Sequence, residues 1–162
     1  EALLNVGEFL PRFHGMRASV AVAVVDNNQL FVASVGDCRV YLLRDNSVQR
    51  LTVDQTLFQI LFDAGLTQER QQSARSRQLL WASLGDANLA IPNVRCEELQ
   101  PNDRLVLVTN GVTRVLKDDL LSRLRCITEN DEEMAAHVVS ASSTLGTKDD
   151  ATCVSVSFTT KP

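Results

Sequence analysis

The stretch Leu30-Phe31-Val32-Ala33-Ser34-Val35-Gly36-Asp37-Cys38-Arg39-Val40-Tyr41-Leu42-Leu43 decides how the chain folds. Leu30–Val35 and Val40–Leu43 are apolar and rich in strand-forming residues. They read as two strands folded onto each other at the polar corner Gly36–Arg39. Gly36 can take a positive φ or admit a close backbone. Asp37 and Arg39 lie two residues apart, on one face if the backbone is extended there. A pair between them, or capping of backbone N–H groups by Asp37, would hold the corner. A plain hairpin needs only Asn-Gly or Asp-Gly, so this corner points to more than a turn.

Upstream, Ala18–Val25 is a strand, and Asp26-Asn27-Asn28 turns it into Leu30. Residues 1–13 read as the end of an amphipathic helix, with Leu3, Leu4, Phe9 and Leu10 on one face and Pro11 interrupting it. Downstream, Asp45-Asn46-Ser47 turns the chain into Val48–Thr52, and four strands form a meander. Leu57, Ile60, Leu61 and Ala64 are spaced for a helix that Gly65 ends. Thr67–Ser73 reads as a short helix, Gln71–Gln78 as an exposed loop. Asn93–Leu99 and Arg104–Thr109 are strands, and Val112–Leu116 begins a short helix. Asp118–Cys126 and Asp131–Thr144 are amphipathic helices, the second with Asp131 as N-cap. Thr152–Phe158 is a last, alternating strand. A strand meander with segregated helices is an α+β arrangement.

The 162 residues fit a single domain, 1–162, with a sizeable core. Net charge is −4 and the pI about 5.1, which argues against nucleic acid as a partner. No apolar run reaches membrane-spanning length and no leader pattern opens the chain, so a cytoplasmic protein away from membranes is expected. Cys38, Cys96, Cys126 and Cys153 are too scattered for a zinc pattern and read as reduced, buried thiols. Ser34, Ser83 and Ser155 lack a nucleophile-elbow context. His14 and His137 have no visible Asp or Cys partner.

Three polar points interrupt apolar strands: Gly36-Asp37, Asn110-Gly111 and Lys148-Asp149-Asp150. Carboxylates gathered at strand ends can hold Mg²⁺ or Mn²⁺, which prefer oxygen ligands. All three are equally turn sequences.

Their order carries a resemblance. Val35-Gly-Asp-Cys-Arg-Val-Tyr-Leu-Leu43, Leu51-Thr-Val-Asp-Gln55, Leu84-Gly85, Leu99 to Gly111 and Gly146-Thr-Lys-Asp-Asp-Ala-Thr152 resemble, in this order, the PP2C-type (PPM) metal-dependent serine/threonine phosphatases, bacterial members most closely. The resemblance implies two stacked antiparallel sheets flanked by helices, with a two-metal centre at one end. Metal-bridging water would attack the phosphoryl group there. It matches Asp37 to a third-metal aspartate, Asp149 to an aspartate of the two-metal centre and Gly111 to the glycine of a Ser-Asp-Gly motif.

The departures shape the functional expectation. The family's N-terminal Arg, Glu-Asp pair and Asp-Gly-His/Met motif have no counterpart before Gly15, which implies a fold truncated at its N-terminus with a degenerate metal site. Asn110 stands in place of a bridging aspartate and brings no charge to a metal. Arg114 stands where many members are acidic, and a guanidinium repels cations. Met16-Arg17-Ala18-Ser19 replaces Gly-Thr-Thr, and Gln55 replaces a common His. Asp150 replaces a common Asn.

The expectation is therefore a pseudophosphatase or regulatory interaction module in phosphosignalling that needs no cofactor on its own. The alternative is an active Mg/Mn-dependent serine/threonine phosphatase whose N-terminal catalytic part lies elsewhere. A structural interaction domain unconnected to phosphosignalling stands as the third possibility. Expected partners are a phosphoprotein, kinase or regulator, or a second copy joined through open sheet edges. Arg75 and Arg77 are candidate partner contacts, since the resemblance places them in a flap.

Overall fold

The computed structural model describes residues 6, 9–45, 47–67, 79–86, 91–128 and 130–159. Seven strands are found among them: β1 Val20–Asp26, β2 Gln29–Val35, β3 Arg39–Arg44, β4 Ser47–Arg50, β5 Asn93–Glu98, β6 Arg104–Val108 and β7 Cys153–Ser157. They form two antiparallel sheets, one ordered β1-β2-β5, the other β4-β3-β6-β7. This is the α+β sandwich expected from the sequence.

The four-strand meander is corrected. β2 and β3 do not pair with each other. The Gly36–Cys38 corner carries the chain from one sheet to the other, and β2 faces β3 across the sandwich. Leu30 and Val32 of β2 meet Val40, Leu42 and Leu105 in the inter-sheet core, with Leu51 and Leu99. Alternation then points Tyr41 and Leu43 out of the opposite face of β3. There they join Val106, Val108, Val112, Leu116, Leu121, Leu124, Met134 and Val138. The run Val40–Leu43 is continuously apolar because both of its faces are buried.

Four helices complete the described chain: α1 Leu57–Asp63, α2 Asn110–Thr113, α3 Asp118–Ile127 and α4 Asp131–Thr144. Thr56 caps α1, its Oγ1 accepting from Gln59 N–H at 3.3 Å, and Gly65 ends it in the left-handed conformation. The N-cap of α4 is Asn130, not Asp131; its Oδ1 accepts from Glu133 N–H at 2.8 Å. Asp131 turns instead to β7, accepting from Ser155 and Ser157 hydroxyls at 2.7 and 2.9 Å. That contact, with α4 packed along β7, fixes the helix layer on the four-stranded sheet. α2 begins at Asn110, earlier than the Val112 of the sequence reading.

Phe9 and Leu10 are exposed, and Pro11–Phe13 forms a single 3₁₀ turn. Leu3 and Leu4, the proposed 67–73 helix from residue 68 on, and the 71–78 loop lie outside the described residues. Of the four cysteines, Cys96 and Cys126 are exposed, which corrects the reading of buried thiols; all four are free. No described helix is long and apolar enough to cross a membrane.

Candidate active-site cleft

The cleft is built where the two sheets exchange the chain. Gly36 leaves β2 with φ +95°, and a Cβ there would lie 2.2 Å from Ser19 Oγ. Only glycine fits both demands. The bend turns Asp37 inward, where it is 6% exposed. Its Oδ1 accepts from Ser19 Oγ at 2.9 Å and its Oδ2 from Asn110 Nδ2 at 3.3 Å. Asn110 opens α2, just past the end of β6, so the Asn110–Asp37 bond ties the corner to the end of the four-stranded sheet.

The expected Asp37–Arg39 pair is absent. Arg39 grips Asp54 instead, with Nε and Nη2 at 2.8 and 2.6 Å from its two oxygens. Nη1 donates to Tyr41 at 3.1 Å, and the phenol donates on to Asp118. Burial pushes the Tyr41 hydroxyl up to about 12, against the opposing pull of Arg39. Cys38, beside Asp37, is pushed up to about 11 by burial and then by Asp37 and Asp54. Its thiol is protonated at neutral pH and is a poor nucleophile.

Gly111 meets the third polar point. A Cβ on it would sit 2.3 Å from the Asp150 carbonyl. Thr147 Oγ1 donates to the Gly111 carbonyl at 2.7 Å, and Thr109 Oγ1 donates to the Asp150 carbonyl at 3.2 Å. The Lys148–Asp150 loop is thereby laced onto the start of α2. Asp149 lies against Arg114, which donates to its Oδ2 and forms an ion pair. Asp150 reaches the cleft. A cavity of about 360 Å³ is lined by Arg17, Ser19, Asp37, Asn110, Asp150 and Thr152, among others.

The three polar points of the sequence therefore do converge. Arg75 and Arg77 lie outside the described residues. Ser19 and Gln55 were visible in the sequence only as departures from a family pattern. Their roles in holding the corner depend on partners 18 and 19 residues away, and no local signal marks them.

The donor set was tested for a divalent cation. Asp37 and Asp149 are the right chemistry, but Asp37 is engaged by a hydroxyl and an amide, and Asp149 by a guanidinium. Among the described residues no group of three His, Cys, Asp or Glu side chains gathers to hold a metal. These residues do not by themselves make up a Mg²⁺ or Mn²⁺ site.

The two-sheet sandwich has counterparts among solved structures. The crystal structure of the Mycobacterium tuberculosis serine/threonine phosphatase PstP superposes with a TM-score of 0.89 at 26% identity, over 98% of this chain and 67% of that one. The chain has the fold of the PP2C-type phosphatases. The catalytic domain of PstP in complex with two manganese ions gives a TM-score of 0.83 at 25% identity, over 97% of this chain and 66% of that one. The family model for protein phosphatase 2C matches residues 15–60, which contain the Gly36–Arg39 corner. A putative protein phosphatase 2C-type of Streptococcus pyogenes is 32% identical over 128 residues, 75% of this chain. The chain spans about half of that relative, 52% of its length.

These superpositions overturn the expectation of a PP2C-type fold truncated at its N-terminus. Solved phosphatases align over 96–99% of the chain, so the PP2C-type sandwich runs through nearly all of it. Short motifs mark individual loops, whereas the fold is defined by which strands pack.

Proposed function

We propose that this chain is a PP2C-type phosphatase domain acting on serine- and threonine-phosphorylated proteins in the cytoplasm, with Mg²⁺ or Mn²⁺ as cofactor. One observation carries the reading. In a chain that follows the PstP fold over 98% of its length, Asp37, Asn110 and the Asp149–Asp150 loop meet at one cleft. Asp37 and Asp149 are the residues through which a metal would be held. Asp149 would have to be released by Arg114 to serve as a ligand. Oxygen-bound metal supplies charge neutralisation and an activated water. The chain's own part is to orient that cleft: Ser19 fixes the Asp37 carboxylate, and Thr147 fixes Gly111.

A second reading is favoured by a specific contact. Arg114 neutralises Asp149 with a protein cation, and the Asn110 amide donates directly to Asp37. A domain that keeps both contacts serves as a pseudophosphatase, binding a phosphoprotein, kinase or regulator without turnover. Either way, protein partners or a second copy are proposed at the edge strands β1 and β5 of the three-stranded sheet.

Turnover of p-nitrophenyl phosphate and a phosphothreonine peptide, titrated with Mn²⁺, separates the two. Mn²⁺-dependent turnover that is lost in Asp37→Ala and Asp149→Ala supports the enzyme. Background turnover from folded protein, at every Mn²⁺ concentration, supports the regulatory module.

A further inference from the structure

Gln55 is 2% exposed, and each of its polar groups is hydrogen-bonded. Its side-chain Oε1 accepts from Gly36 N–H at 2.8 Å, and its own N–H donates to the Gly36 carbonyl at 2.9 Å. Both main-chain groups of the glycine that aims Asp37 are thus held by one residue. The other half of Gln55 faces elsewhere. Nε2 donates to the Ile91 carbonyl at 2.7 Å, and the Gln55 carbonyl accepts from Trp81 N–H at 3.0 Å. The next residues continue the join, with Leu57 N–H donating to the Leu79 carbonyl at 2.8 Å. Leu80, between Leu79 and Trp81, lines the same cleft as Asp37. A buried amide with both ends satisfied is costly to replace, because whichever partner is abandoned stays buried.

We propose that Gln55 is a positioning residue that couples Asp37, through Gly36, to Ile91 and to Trp81 beside the Leu80 wall of the cleft, so that a change at the carboxylate is transmitted to Trp81 and Ile91. The coupling rests on Asp37 being a working residue of the cleft, as proposed above. An apolar side chain of the same size would fill the space and keep the two main-chain bonds, but would lose the side-chain link from Gly36 to Ile91. A glutamate would keep the bond from Gly36 N–H. It would donate to the Ile91 carbonyl only when protonated, and the charged groups around it are Asp37, Asp54 and the Arg39 paired with Asp54.

Trp81 is the single tryptophan, so its emission reports the wall directly. The test compares wild type, Gln55→Leu and Gln55→Glu, each with and without Asp37→Asn. Readouts are Trp81 emission and exchange of the Gly36 and Trp81 amides. Asp37→Asn is expected to shift Trp81 emission in the wild type and to shift it less in the Gln55→Leu background. In Gln55→Leu the Gly36 amide is expected to exchange about fivefold faster, the loss of one net hydrogen bond. Gln55→Glu is expected to match wild type near pH 4.5 and to loosen as the carboxyl ionises toward pH 8. That pH-dependent rescue is not produced by packing alone, and it keeps the test intact if Gln55→Leu fails to fold. Equal Trp81 shifts in both backgrounds, or a Gln55→Glu protein indifferent to pH, would overturn the proposal. None of these readouts uses turnover. A chain without phosphatase activity that still shows the coupling counts against the enzyme reading alone.

Discussion

At its central strands, β3 and β6, the four-stranded sheet is buried on both faces, whereas the three-stranded sheet is covered on one. Leu43 and Val106, on the helix-facing side of β3 and β6, are 0% exposed. On the outer face of the other sheet, Val24, Phe31 and Cys96 lie in one cross-strand row, and Val22, Ala33 and Val94 in the next. There Val24 is 55%, Phe31 44% and Val94 71% exposed. Among the described residues no helix packs on that face. Both sheets are written in nearly the same alphabet: Val20–Val25 is as apolar as Val40–Leu43. Composition of a strand therefore states what it can bury, and the layers that reach it decide what it does bury.

The largest effect should fall on the doubly covered sheet. Leu42→Ala or Val106→Ala is expected to cost about 2–5 kcal/mol, while Val94→Thr on the open face should stay within about 0.5 kcal/mol. Urea midpoints at unchanged m-values check this. Comparable losses at the two sites would mean that Val94 is covered in solution.

The contact between the corner and the end of the four-stranded sheet is the next target. Asn110→Asp sets a carboxylate against Asp37 and should lower stability at neutral pH by about 1 kcal/mol. If the cleft takes Mn²⁺, the double variant Asn110→Asp, Arg114→Asp should regain more than this when the ion is added. Thermal melts with and without Mn²⁺ measure both parts. An Mn²⁺-insensitive double variant would count against the metal-dependent reading.

Asp131 tests the seam between helix layer and covered sheet. Burial raises its pKa, but the Ser155 and Ser157 hydroxyls, the Ser157 N–H and Arg104 outweigh this and lower it below 3.8. A carboxyl whose folded value is depressed stabilises the native state above its unfolded value. That contribution is present at neutral pH and is lost as pH falls through the lowered folded value. Asp131→Asn should flatten the acid limb of the stability profile, with a smaller change of about 1 kcal/mol at pH 7. An acid limb identical to wild type would show that Asp131 carries none of it.

The smallest effect is chemical. At pH 8, Cys96 and Cys126 should react first with a thiol reagent. Cys38 and Cys153, raised to about 11 and about 12 with burial the leading cause, should lag. Slow modification of Cys96 alone would indicate that its row on the open sheet is covered.

Most strands were legible because alternation and turn chemistry are local. Asp26–Asn28 and Asp45–Ser47 mark turns in which Asn27 and Asp45 take positive φ. The N-cap of α4 was misplaced by one residue because Asn130 and Asp131 both suit the position, and the hydroxyls of β7 claimed Asp131. The Asp37–Arg39 pair failed for a similar reason. Two residues on one strand can share a face, but Asp54 presents two oxygens to the Arg39 fork and Ser19 is nearer to Asp37.

The sequence by itself determined the described strands and the longer helices, the α+β class, the corner at Gly36 and the polar points Asp37, Asn110 and Asp149, since each depends on neighbours a few residues away. Only the tertiary structure decided that β2 and β3 belong to different sheets and that Asn110 reaches Asp37 at the corner. It also decided that Arg114 holds Asp149 and Gln55 ties the corner to the wall. Those are contacts over 19 to 73 residues, and their partners are chosen by how layers stack, which no local pattern encodes.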